Sequence, residues 1–186
     1  LLLLFISITW SQWFTINHDS IIRTYYVSYP ETSDFTEPPA LIINMHGYGG
    51  TAQSQLSYSE MDLFAHPRNI AVVYPQGMIN NWGYTAWNIG TFWDQSNLDD
   101  VGFISLMIDQ ISNDFEIDLD RVYACGMSNG GYMAYELACE LEDKIAAFGS
   151  VTGNFMLNTS EGQICDFNRE IPIVHFHGTS DSTVDY

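Results

Sequence analysis

The chain has 186 residues, 46% of them hydrophobic, with 23 Asp plus Glu against five Lys plus Arg and a net charge of −18. That length and apolar content describe one folded domain with a sizeable core, not a disordered chain. The charge excludes nucleic acid, whose phosphates need a basic patch, and anionic membrane surfaces, and it disfavours polyanionic substrates, so a neutral ester or sugar is expected.

The rival reading of the charge is adaptation to a salty medium. Residues 1–11 form an apolar run too short to span a bilayer. Thr9 and Ser11 supply the small residues of a cleavage site, so the run reads as the apolar core of a secretory signal and predicts export. The rival reading is a buried first strand.

Residues 13–17 and 22–29 alternate apolar and polar and predict an antiparallel strand pair, followed by a loop over 30–39 with three prolines. Residues 40–45 (Ala-Leu-Ile-Ile-Asn-Met) read as a strand covered on both faces, ending in His46-Gly47-Tyr48-Gly49-Gly50. A helix is predicted over 51–64 and a buried strand over 69–74. The stretch 78–97 is aromatic and without period, carrying Trp82, Trp87 and Trp93. The spacing of Val101, Ile104, Ile108 and Ile111 predicts a helix over 99–115. Strands follow at 121–125, 146–151 and 171–176, the last read as buried and leading into His177-Gly178-Thr179-Ser180-Asp181. Strands alternating with helices predict an α/β architecture around a mostly parallel sheet, whose chemistry sits at the carboxyl ends of the strands.

Between the 121–125 strand and a helical pattern lies Gly126-Met127-Ser128-Asn129-Gly130. A strand that turns at once into a helix holds Ser128 at a strained apex with its hydroxyl exposed, as an acyl-transfer nucleophile requires. Gly126 and Gly130 leave room for the turn, and Met133, Leu137 and Leu141 recur at four-residue spacing to face the sheet. The rival reading is an ordinary serine in a Gly-rich turn. The oxyanion donors are predicted to be the backbone N–H of Asn129, at the helix start, and of Tyr48. His46 reads as a brace for its turn. Asp181, at the end of a later strand, suits the carboxylate that orients the base, with Asp185 as its rival. Trp82, Trp87 and His177 are candidate substrate-binding residues; the tryptophans equally suit a hydrophobic cluster under a long loop. His175 reads as a core group. Cys125 reads as a core residue, whereas Cys139 and Cys165 can pair in an exported protein. No zinc spacing is present.

His46-Gly47-Tyr48-Gly49-Gly50, Leu98-Asp99-Asp100-Val101-Gly102-Phe103, Asp120-Arg121-Val122-Tyr123, Gly126-Met127-Ser128-Asn129-Gly130-Gly131 and His177-Gly178-Thr179-Ser180-Asp181 together resemble the polyhydroxybutyrate depolymerase and feruloyl/acetylxylan esterase group of α/β-hydrolases. The resemblance spans nearly everything after residue 11. It implies an α/β-hydrolase fold with helices on both faces of the sheet over residues 12–186, and a secreted serine esterase with Ser128 as nucleophile and Asp181 as triad acid. It implies a structural role for the Asp99-Asp100 pair. No cofactor or metal is expected. The partner expected is an ester substrate, including a polymeric polyester or plant polysaccharide, with no nucleic acid and no membrane span. In this fold the base follows the acid in chain order, and none of residues 182–186 is His. The sequence therefore reads as a fragment, with the final strand, histidine loop and last helix beyond Tyr186. The rivals are a prolyl-oligopeptidase-type peptidase, which shares the elbow, and a noncatalytic binding module.

Overall fold

The structure, a computed structural model, describes residues 11–31, 35–89, 98–155, 165 and 168–186. The signal-like run up to residue 10 and Trp93 lie outside the described residues. Strands β1 (Gln12–His18) and β2 (Ile21–Ser28) form the predicted antiparallel hairpin, turning at Asp19 and Ser20, both at positive φ. The later strands are β3 (Ala40–Met45), β4 (Ile70–Pro75), the short pair β5 (Met78–Ile79) and β6 (Thr85–Ala86), β7 (Val122–Met127), β8 (Ala147–Val151) and β9 (Ile173–Phe176). Seven of them form one sheet in the order β1-β2-β4-β3-β7-β8-β9, parallel from β4 to β9.

Helices cover both faces, and strand β4 shows why. Its alternate residues point to opposite sides. Ala71 and Val73 join the core with α3 (Asp100–Asp114) and α4 (Asn129–Glu140). Val72 and Tyr74 join a second cluster with Ala52 of α1 (Ala52–Ser59) and Ala65 of α2 (Met61–Ala65). The periodic residues Ile104, Ile108, Ile111, Met133, Leu137 and Leu141 are all buried, as their spacing predicts. This is an α/β-hydrolase fold.

Three expectations are corrected. The helix predicted over 51–64 breaks at Glu60, whose φ of +45° places it in the left-handed region and separates α1 from α2. Strand β9 is exposed along its whole length, because among the described residues it is the last strand of the sheet and pairs only with β8. His175 is accordingly an exposed residue and not a core group. Cys139 and Cys165 form a disulfide, and Cys125 is a free thiol whose pKa burial pushes up to about 12.

The Asp99-Asp100 pair is structural. Asp99 caps α3, accepting from Gly102 N–H at 2.8 Å, and its other oxygen lies 3.0 Å from His18 Nε2. Asp100 is buried in an ion pair with Arg23, a residue that the sequence analysis passed over. The Arg23 guanidinium stacks 3.9 Å from the Phe103 ring centroid, while Asp100 Oδ2 accepts from Asn88 N–H at 2.7 Å. The pair thereby fixes the first hairpin to the start of α3.

Candidate active site

The parallel register sets Met45 opposite Gly126, Gly126 opposite Ser150, and Val151 opposite Phe176. The carboxyl ends of β3, β7, β8 and β9 therefore lie side by side, and the loops singled out in the sequence meet at one sheet edge.

Ser128 stands between β7 and α4 with φ 52° and ψ −120°. That conformation is strained for a residue with a side chain and persists only where its surroundings hold it. They do: Ser128 N–H donates to Val151 O at 2.8 Å, and Ser128 O accepts from Tyr132 N–H at 2.9 Å. A Cβ on Gly126 would sit 2.8 Å from Met45 O, and one on Gly130 only 2.6 Å from His46 O. Backbone oxygens cannot move away cheaply, so both positions require glycine.

The loop 46–50 rests on this elbow. A Cβ on Gly47 would meet Met127 O at 3.2 Å and Ser128 Cβ at 3.5 Å. His46 is 1% exposed and braces the turn. Gly77 N–H donates to its Nε2 at 2.9 Å, so the proton sits on Nδ1, which donates to Gly47 O at 2.8 Å. Burial lowers its pKa, which keeps the ring neutral. The β5–β6 hairpin holds the other side of the loop: Gly49 N–H donates to Thr85 O at 2.7 Å, and Asn80 Nδ2 to the Tyr48 hydroxyl at 3.1 Å.

Ser128, Tyr48 and Asn129 line one cavity of about 130 Å³, closed by Ile89, Tyr132, Thr183 and Val184. The backbone N–H of Asn129 lies in the first turn of α4, where N–H groups have no intrahelical acceptor. Asp181 belongs to the same wall through its turn. Its Oδ1 accepts from Thr183 N–H at 2.9 Å and Val184 N–H at 3.0 Å. These donors, Val184 first, hold its pKa below the ordinary carboxylate value. A larger hollow of about 310 Å³ opens near Tyr29, Glu37 and Glu116, and none of the residues from the elbow or the loop 46–50 lines it.

Two candidate substrate contacts are corrected. Trp87 is 0% exposed, and its indole N–H donates to His46 O at 2.9 Å, so it is a core residue beneath the loop 46–50. The His177 side chain is 1% exposed and is held by Val184 O at 2.9 Å, so it lies behind the cavity wall. Trp82 is 47% exposed on the β5–β6 hairpin, outside the cavity lining. Ile89, Tyr132, Thr183 and Val184 line the cavity without belonging to any motif in the sequence. Tyr132 is four residues beyond Ser128, one helical turn along, which was a usable signal.

Among the described residues, no histidine is hydrogen bonded to Ser128 Oγ, and the metal-ligand grouping is His18, Asp19 and Asp99, at the β1–β2 turn and the start of α3. No helix among the described residues is long and apolar enough to cross a membrane.

Residues 32–186 match the family described as Phospholipase/Carboxylesterase. A bifunctional acetylxylan esterase/xylanase of Neocallimastix patriciarum is 32% identical over 146 residues, covering 78% of this chain and 20% of that protein. Feruloyl esterase B of Piromyces equi is 31% identical over 164 residues, covering 88% of this chain and 30% of its own length. The chain thus spans under a third of either relative. A thermostable esterase superposes with a TM-score of 0.74 at 22% identity, over 95% of this chain and 48% of the other. The acetyl xylan esterase of Aspergillus awamori superposes with a TM-score of 0.71 at 15% identity, over 94% and 74%. At these identities the structures bear on the fold alone.

Proposed function

The chain belongs to the Phospholipase/Carboxylesterase family, and from that premise we propose that it is a serine esterase hydrolysing carboxylic esters through an acyl-enzyme on Ser128. One observation carries the reading: the strained Ser128, the Tyr48 and Asn129 positions and the turn that follows Asp181 all border a single cavity.

In this mechanism Ser128 Oγ attacks the ester carbonyl carbon while a base takes its proton. The N–H groups of Tyr48 and Asn129 stabilise the negative charge that develops on the carbonyl oxygen, an effect worth about 3–4 kcal/mol of barrier per donor. The tetrahedral intermediate collapses, the alcohol leaves with the proton, and water repeats the sequence to release the acid. In this fold the base is a histidine that follows the acid in chain order. Asp181 Oδ2 takes no hydrogen bond among the described residues, which supports its role as that histidine's orienting partner.

The substrate class is an acetylated or feruloylated polysaccharide or a polyhydroxyalkanoate, with Trp82 as a contact outside the cavity. The first two substrates are supported by the relatives' names. Export is supported by the disulfide and the apolar run over residues 1–11. Assay of the full-length protein on a short-chain chromogenic ester and a dipeptide amide tests the reading. Ester turnover that disappears in Ser128→Ala is expected. Amide turnover would favour a peptidase, and no turnover by a folded protein would favour a binding module.

A further inference from the structure

We propose that His177 is a positioning residue, which anchors the turn over residues 181–184 through a one-way hydrogen-bond relay running from Tyr135 through His175 to Val184 O. The proposal rests on the reading of Ser128 and Asp181 as nucleophile and acid.

The direction of the relay follows from the acceptor at its end. A carbonyl oxygen can only accept, so His177 Nε2, 2.9 Å from Val184 O, carries a proton. In a neutral imidazole the other nitrogen is then an acceptor. His177 Nδ1 lies 3.2 Å from His175 Nε2, which must therefore donate. That leaves His175 Nδ1 as an acceptor, 2.9 Å from the Tyr135 hydroxyl, which donates. All three links are satisfied by one arrangement of protons, with both histidines in the Nε2–H form. The two rings lie near one plane, 20° apart with centroids 5.4 Å from each other, so the N–H of one can point at the nitrogen of the other.

The relay ties the elbow helix to the acid turn. Tyr135 belongs to α4, the helix that begins directly after Ser128. At the far end Val184 is held twice: its carbonyl by His177, its N–H by Asp181 Oδ1. His177 Nε2 is 3.8 Å from Asp181 Oδ2, too far for a hydrogen bond, so His177 acts on the acid through Val184. Thr183 and Val184 also line the Ser128 cavity, so the same anchor sets that wall.

Two measurements on the full-length protein test this. Nitrogen-15 NMR of the imidazoles, at a pH where both are neutral, is expected to show the Nε2–H form for His175 and His177; an Nδ1–H form for His177 overturns the relay. In kinetics, His177→Ala is expected to lower kcat on an ester about 10- to 100-fold with KM little changed, the size of loss that small misplacements produce. His177→Gln keeps an N–H at the Nε2 position and is expected to restore most of the rate. A folded His177→Ala with unaltered kcat, or a His177→Gln as slow as His177→Ala, contradicts the proposal. If His177→Ala does not fold, the NMR assignment decides alone. If the unaltered protein turns over no ester, the functional reading falls, and the NMR result still decides the relay.

Discussion

Asn129 and Trp87 are joined by reciprocal hydrogen bonds: Trp87 N–H donates to Asn129 Oδ1 at 2.7 Å, and Asn129 Nδ2 donates to Trp87 O at 3.2 Å. Because the Trp87 indole also donates to His46 O, this pairing links the first residue of the elbow helix to the loop 46–50. The two residues proposed as oxyanion donors, Asn129 and Tyr48, are thereby held through one buried tryptophan.

Asn129→Ala leaves both backbone groups of Trp87 buried and unpaired. A loss of about 1–3 kcal/mol in urea unfolding is expected, together with a lower kcat. A variant as stable as the unaltered protein would show that Trp87 finds other partners.

Gly130→Ala and Gly178→Ala separate crowding from loss of glycine itself. The first places a Cβ against the carbonyl oxygens of Met45 and His46; the second meets nothing within 4 Å. Gly130→Ala is expected to cost about 1–3 kcal/mol or to prevent folding, and Gly178→Ala to stay within about 0.5 kcal/mol. Thermal melts of the two decide it.

Asp100→Ala strands Arg23, which is buried at 2% exposure. A destabilisation of about 3–5 kcal/mol is expected. Replacing both partners with apolar residues should recover only part of this loss, since Asn88 N–H would still lose its acceptor on Asp100. Equal stability of the single and double variants would contradict the pairing.

Glu136 on α4 gives the fold a pH dependence. Burial, aided by Glu140, raises its pKa from 4.5 to about 7. The folded protein therefore holds this proton more tightly than the unfolded chain does. The resulting stability is present below pH 4.5 and is lost as pH rises through about 7. Glu136→Gln is accordingly expected to gain stability over the unaltered protein at about pH 8 relative to about pH 5. The same difference at both values in urea titrations would refute the assignment.

What the sequence reveals and what it hides divides by range. The strands β3 and β4 are legible because apolar runs and their closing turns are local, and the elbow is legible because its glycines and serine are contiguous. Arg23 is not, since its partner Asp100 is 77 residues away and only the fold brings them together. Trp87 is ambiguous in the sequence because aromatic content does not say which rings face inward. His177 was misassigned because its partner Val184 is met only after the chain turns back. The break at Glu60 carries no sequence signal, as neither glycine nor proline marks it.

The central claim is that the hydroxyl at the apex of β7 and α4 is the nucleophile. Labelling the full-length protein with a fluorophosphonate, followed by mass spectrometric mapping of the adduct, tests it most directly. A single adduct on Ser128, absent from Ser128→Ala, is the predicted result. A folded protein that takes no label, or takes it on another serine, would contradict the account.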